Sequence, residues 1–145
     1  MSLISLASNA SVWRGYNYYN YKKVESYSKL NDSEYEASVK GSNNNLYKVT
    51  INLEHVRKSK CNCPHAAGTR IICKHMIALY FTIFPDEALN YIKKVEAEER
   101  EREIYEQQRY EEVAEYVNSL TVEQLKYELI RVLLDQDEED YYDYY

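Results

Sequence analysis

The sequence predicts an α+β fold: a three-stranded antiparallel meander, a knuckle and a helix in a ββα-like finger, followed by a C-terminal helical extension. Three observations carry this. Residues 34–40 and 47–54 alternate apolar and polar side chains with the period of half-buried strands. His75 to Phe84 is apolar almost throughout and stops at Pro85, the pattern of a buried helix. All three cysteines of the 145-residue chain fall, with a histidine, in one C-x-C…C-x-H run.

Residues 1–11 form an N-terminal segment that lacks the basic start and long apolar stretch of a signal peptide. The finger is expected over residues 12–84. A strand around Lys23–Leu30 turns at Asn31-Asp32 into a second, where Tyr35, Ala37 and Val39 face one side and Glu34, Glu36, Ser38 and Lys40 the other. Gly41-Ser42-Asn43-Asn44-Asn45 is turn material leading to a third, where Tyr47, Val49, Ile51 and Leu53 alternate with Lys48, Thr50, Asn52 and Glu54.

Residues 85–134 read as a helical extension. One helix begins at Asp86, with pairs such as Glu96 with Arg100 and Glu98 with Arg102 supporting its charged middle. Its apolar positions return at Tyr110, Val113, Ala114, Val117 and Leu120. Thr121-Val122-Glu123-Gln124 is a capping-box signature for a last helix carrying Leu125, Leu129, Val132 and Leu133 on one face. These stripes predict a helical hairpin or a surface for a partner chain. Residues 135–145, acidic and tyrosine-rich without a periodic apolar face, are expected to be disordered.

Cys61, Cys63, Cys73 and His75 are candidate ligands of one structural Zn2+. Thiolates at about 2.3 Å from a shared zinc lie roughly 3.8 Å apart, much closer than residues i and i+2 of a strand. Cys61-Asn62-Cys63 must therefore turn back, which Asn62 suits because Asn tolerates left-handed backbone, and Pro64 ends the ladder. Residues i and i+2 of a helix point to nearly opposite faces, so Cys73 belongs just before the helix and His75 in its first turn. Lys74 and Arg70 can offset the negative charge left by three thiolates on one dication. His65 is a rival ligand ranked below His75. Three buried cysteines beside a capping histidine would not require this spacing, and a Cys61–Cys63 disulfide would leave Cys73 and His75 unexplained.

Leu, Ile, Val and Phe are sparse, so seventeen tyrosines must supply much of the buried area. Net charge is −6 overall but uneven. Residues 1–80 carry eleven Lys/Arg against five Asp/Glu, residues 81–134 seven against thirteen, and residues 135–145 none against six. A basic finger is thus joined to an acidic half. No apolar run is long enough to span a bilayer, and a cytoplasmic location, nuclear in a eukaryote, is expected. With no Gly-rich phosphate loop and a metal closed by four ligands, no enzymatic activity is expected; His55 reads as a surface residue at a strand end.

The run Cys61-Asn62-Cys63-Pro64 with Cys73-Lys74-His75-Met76-Ile77-Ala78-Leu79 resembles the SWIM zinc finger. Trp13-Arg14-Gly15, Tyr18-Tyr19, Val39-Lys40-Gly41-Ser42 and Tyr47-Lys48-Val49 stand where such domains carry Arg-Gly, paired aromatics, a Val-x-Gly-Ser turn and a Tyr-x-Val strand. The resemblance covers roughly residues 12–84. Ser119-Leu120-Thr121-Val122-Glu123-Gln124-Leu125 is similar to the helical segment that often follows the finger in bacterial members. The resemblance implies a zinc-stabilised module that contacts DNA or proteins, here a small stand-alone member without room for the catalytic domains of larger relatives.

Two functions follow. Arg14, Lys22, Lys23, Arg57, Lys58, Lys60, Arg70 and Lys74, interleaved with Tyr16, Tyr18, Tyr19 and Tyr21, are candidate DNA contacts: the cations neutralise phosphates, and the tyrosines either stack on bases or belong to the core. The rival is an adaptor that docks a protein partner on its C-terminal helices. An acidic tail folded back on the basic half would compete with DNA.

Overall fold

The computed structural model describes residues 2–142, with side chains described as far as Asp135. It divides into two compact units, Met1–Lys94 and Val95–Tyr145.

In the first unit a four-residue helix, α1 (Leu3–Leu6), and a longer one, α2 (Asn9–Asn20), precede the sheet. The sheet is antiparallel, with β1 (Val24–Lys29), β2 (Glu34–Lys40), β3 (Leu46–Asn52) and a two-residue β4 (Lys60–Cys61) in sequential order. The expected meander is present, and the knuckle's first residues add the fourth strand. α3 (Lys74–Ile83) lies on the sheet and against α2.

The alternation in β2 and β3 does what its period requires. Ala37 pairs with Val49 and Val39 with Tyr47 across the strands, and Ala37, Val39, Val49 and Ile51 are buried. Opposite them, Met76, Ile77, Leu79 and Phe81 of α3 are essentially inaccessible, so the core sits between sheet and helix. The N-terminal segment belongs to it, since Leu3 is 1% exposed.

The turns follow their residue chemistry. The Ser33 N–H donates to Asn31 Oδ1, and the Leu30 N–H closes the β1–β2 turn on the Glu34 carbonyl. The β2–β3 turn needs Asn44 at φ 59°, a conformation Asn accepts. α2 ends in a Schellman arrangement, with Lys22 at φ 52°, the Lys22 N–H on the Tyr19 carbonyl and the Lys23 N–H on the Tyr18 carbonyl.

α4 (Pro85–Ser119) crosses the boundary between the units. In the second unit it continues as an exposed helix laced by short-range pairs, such as Arg102 with Glu99 at 3.1 Å and Arg109 with Glu112 at 3.4 Å. α5 (Val122–Tyr142) begins at the expected capping box: the Gln124 N–H donates to Thr121 Oγ1 and the Thr121 N–H to Gln124 Oε1. Neither apolar stripe covers the other. Val113, Val117, Leu125, Leu129, Val132 and Leu133 are all exposed and only Ala114 and Leu120 are half-buried, so of the two expected arrangements the packed hairpin is not formed. Residues 135–142, expected to be disordered, continue α5, as a stretch free of Gly and Pro can. Residues 143–145, and the side chains from residue 136 onward with the expected competition for DNA, lie outside the described residues. Among the described residues no helix is long and apolar enough to cross a membrane.

Candidate metal centre and basic cleft

β4, the turn after it and the start of α3 bring Cys61, Cys63, Cys73 and His75 together, all four buried, with one ligand atom from each within 4.8 Å of the others. Cys73 is the N-cap of α3 and His75 lies in its first turn, as the helical geometry demanded. His75 Nδ1 stands 3.7 Å from Cys61 Sγ and 3.8 Å from Cys73 Sγ. The corresponding edge of a tetrahedral zinc site is about 3.6 Å, given Zn–S of about 2.3 Å and Zn–N of about 2.0–2.1 Å. Donor types, number and spacing therefore fit one structural zinc, ligated through Nδ1.

The Asn62 turn works differently from the sequence expectation. The backbone there is not left-handed; among the described non-glycine residues only Lys22 and Asn44 have positive φ. Instead Asn62 Oδ1 accepts the Lys48 N–H at 2.9 Å while the Asn62 N–H donates to the Lys48 carbonyl at 3.2 Å. A side-chain amide thus replaces a ladder bond and ties the knuckle to β3.

The imidazole is held by aromatic rings. Its centroid is 4.7 Å from Tyr47 and 5.3 Å from Tyr18, the latter edge-on, and its Nε2 is buried without a hydrogen-bond partner among the described residues. With Nδ1 on the metal, Nε2–H is left facing an aromatic environment in place of the usual carboxylate or carbonyl. Gly41 makes this possible, because a Cβ there would lie 2.5 Å from the Tyr47 ring. The Gly-Ser turn and the Tyr-x-Val strand are thus two parts of one support for the ligand.

The two buried thiols Cys61 and Cys73 share a proton unevenly. The Cys73 sulfur is held well below the usual thiol range, chiefly by the hydrogen bond from the Cys61 thiol; burial opposes this, while His75 and the Met76 N–H reinforce it. The same pairing, with burial, pushes Cys61 up. Arg14 and Lys74 line a cavity of about 190 Å³ against Cys63, Cys73 and His75, which places them to offset the cluster's negative charge. Arg70, expected to share that task, lies elsewhere. His65 also lines this cavity but is exposed and outside the four-ligand cluster. His55 is exposed and stands at the N-cap position of the 3-10 turn Val56–Lys58 without a side-chain capping bond.

The eight candidate DNA contacts separate into groups. Arg57, Lys58, Lys60 and Arg70 line one open cleft of about 1050 Å³, between the β3–β4 edge and the loop after the knuckle. Lys48, which alternation marked only as an outward strand residue, joins them. Topology alone reveals it, by placing β4 beside β3. Arg14 and Lys74 stand at the metal cavity, and Lys22 and Lys23 at the end of α2. The tyrosines are mostly structural: Tyr16 and Tyr19 pack on Phe81 at 6.1 and 6.2 Å, and Tyr18 packs on His75. Only Tyr21 of that set is widely exposed, at 74%.

A four-stranded sheet, one covering helix and a closed three-thiolate, one-imidazole site define a structural zinc-finger module. Residues 47–84 match the family model of the SWIM zinc finger, so the chain carries a SWIM-type zinc finger over that stretch. Comparisons with curated proteins and with solved structures give no match.

Proposed function

We propose that this protein is an accessory, non-catalytic module that binds DNA at the cleft beside β4. One observation carries the reading. Arg57, Lys58, Lys60 and Arg70 converge there, none in an ion pair among the described residues, and Glu34 is the sole acid in the lining. Such a surface attracts a polyanion, and each phosphate it neutralises releases counterions. Four protein ligands leave the zinc no position for an activated water, which supports a binding role over hydrolysis. Zinc-loaded protein titrated with labelled DNA at several salt concentrations should give log K falling with log salt at a slope of about −3 to −4, for roughly four phosphates. Absence of binding at low salt overturns the proposal.

A second reading, an adaptor for a protein partner, is favoured by the uncovered apolar residues of α5. Val122, Leu129, Ile130 and Leu134 are each 59–66% exposed. The double variant Leu129→Glu/Leu133→Glu separates the readings: unchanged DNA affinity leaves the cleft sufficient, and lost affinity makes the helices part of the site.

A further inference from the structure

We infer that the cleft beside β4 takes the sugar-phosphate backbone of duplex DNA, with the bases turned away, in preference to single-stranded DNA. The inference rests on the DNA-binding reading above and adds which form of DNA is bound and how little of its sequence is read.

The argument begins with what the cleft lacks. Proteins that hold unpaired strands combine a cationic groove with aromatic platforms, each stacked base being worth about 1–3 kcal/mol. Among the described residues no aromatic side chain lines this cleft. Ala66, Ala67 and Gly68 line its loop side, and none of these offers a stacking face. Of the tyrosines the sequence placed near the cations, Tyr16 and Tyr19 pack on Phe81 and Tyr18 on the imidazole of His75, while the exposed Tyr21 stands at the end of α2 and is not among the residues lining the cleft. A single strand bound here would leave its bases without a platform, whereas a duplex has already stacked its own.

What the cleft offers suits a backbone. Lys60 on the strand side and Arg70 on the loop side flank it, with Arg57 and Lys58 from the turn between β3 and β4. Lys48 reaches the same cleft but is partly neutralised by Glu36 at 3.1 Å. Lysines and arginines on both walls can track consecutive phosphates, and phosphate contacts position a protein without reading bases. The lining contains no Gln, and its single Asn, Asn62, has its carbonyl committed to the Lys48 N–H, so the usual bidentate reader of adenine is missing.

The test uses the full-length, zinc-loaded protein and three probes at matched low salt: a mixed-sequence duplex of about 16 base pairs, its separated strand, and polyglutamate as an acidic polypeptide. The duplex should bind at least about tenfold more tightly than the strand, and two duplexes of unrelated sequence should bind alike. Lys60→Ala/Arg70→Ala, both at exposed positions, should retain zinc and the wild-type circular dichroism while lowering the salt slope for duplex by about 2. Lys22→Ala/Lys23→Ala should leave it nearly unchanged.

Equal or tighter binding of the single strand overturns the inference while leaving the DNA-binding reading intact. So does a strong preference between the two duplexes, or a slope that falls only with the Lys22/Lys23 variant. Tighter binding of polyglutamate than of duplex overturns it in favour of an acidic protein partner. Failure of every probe to bind overturns both proposals.

Discussion

Residues 2–94 and residues 95–135 are both rich in regular structure, yet they draw stability from different sources. Among the described residues every buried side chain, from Leu3 to Ala88, lies in the first stretch, and from Val95 to Asp135 none is buried. The first unit folds by closing a core around a metal knuckle. The second is held by capping, helix propensity and short-range ion pairs worth only about 0.2–0.5 kcal/mol each. A periodic apolar pattern states which face of a helix is apolar; it does not state what covers that face.

Zinc should expose the contrast most sharply. A structural zinc contributes on the order of 10 kcal/mol to a folding module, so chelation, or Cys73→Ser, should unfold residues 2–94. The helical signal of α5 should largely persist. Circular dichroism and amide spectra before and after chelation read this directly, and a sheet that survives metal removal would show that the Val39, Val49, Ile77 and Leu79 core suffices by itself.

Paired leucine truncations come next. Leu79→Ala removes a fully buried side chain and should cost about 2–5 kcal/mol in denaturant unfolding. Leu129→Ala alters a side chain that is 59% exposed and should stay within about 0.5 kcal/mol. A cost above 1 kcal/mol for Leu129→Ala would mean that this face is covered in solution, and the comparison between the units would have to be redrawn around an assembly.

Gly15 is a finer probe of the first unit. A Cβ there would lie 2.5 Å from the Ile77 side chain and 2.9 Å from the Lys74 carbonyl oxygen, so the glycine sets how closely α2 approaches α3. Gly15→Ala should destabilise by about 1–3 kcal/mol, a typical overpacking cost, although alanine is the better helix former. It should also loosen the metal site, because Lys74 sits between two ligands. A stabilising effect would show that the helices can separate without penalty.

These probes also mark what the sequence could and could not disclose. Ala37, Val39, Val49 and Ile51 were legible because strand alternation is local, and Cys73 and His75 because tetrahedral geometry constrains i and i+2. α2 was not. Asn9–Asn20 is dense in Asn, Tyr and a central Gly, all weak helix formers, and its helix depends on end caps at Ser8 and Lys22 and on contact with α3. β4 is two residues long and exists only because Val49 and Thr50 offer an edge. The cleft was half legible: four of its cations cluster between residues 57 and 70, but Lys48 joins them only through strand pairing, and the packing of Tyr16, Tyr18 and Tyr19 against the core is a tertiary outcome.

Glu34 supplies the smallest effect and tests the basic cleft from the opposite sign. Its carboxylate accepts Asn52 Nδ2 and Asn31 Nδ2, each at 2.7 Å. Those two bonds, Asn52 first, hold its pKa below the usual carboxylate value against a slight opposing effect of burial, with help from Lys58. A depressed carboxylate stabilises the fold above its unfolded pKa of about 4.3, and that contribution is lost as pH falls through the folded value. Glu34→Gln should therefore be slightly less stable than wild type at pH 7, with the difference closing below about pH 4. DNA affinity should move the other way, because the substitution removes the one negative charge among five cations lining the cleft. Glu106→Gln, in the second unit, changes net charge equally but is not a cleft residue, and should leave affinity nearly unchanged. If both variants tighten binding alike, the attraction belongs to the charge of the whole chain; if only Glu34→Gln does, it belongs to the cleft.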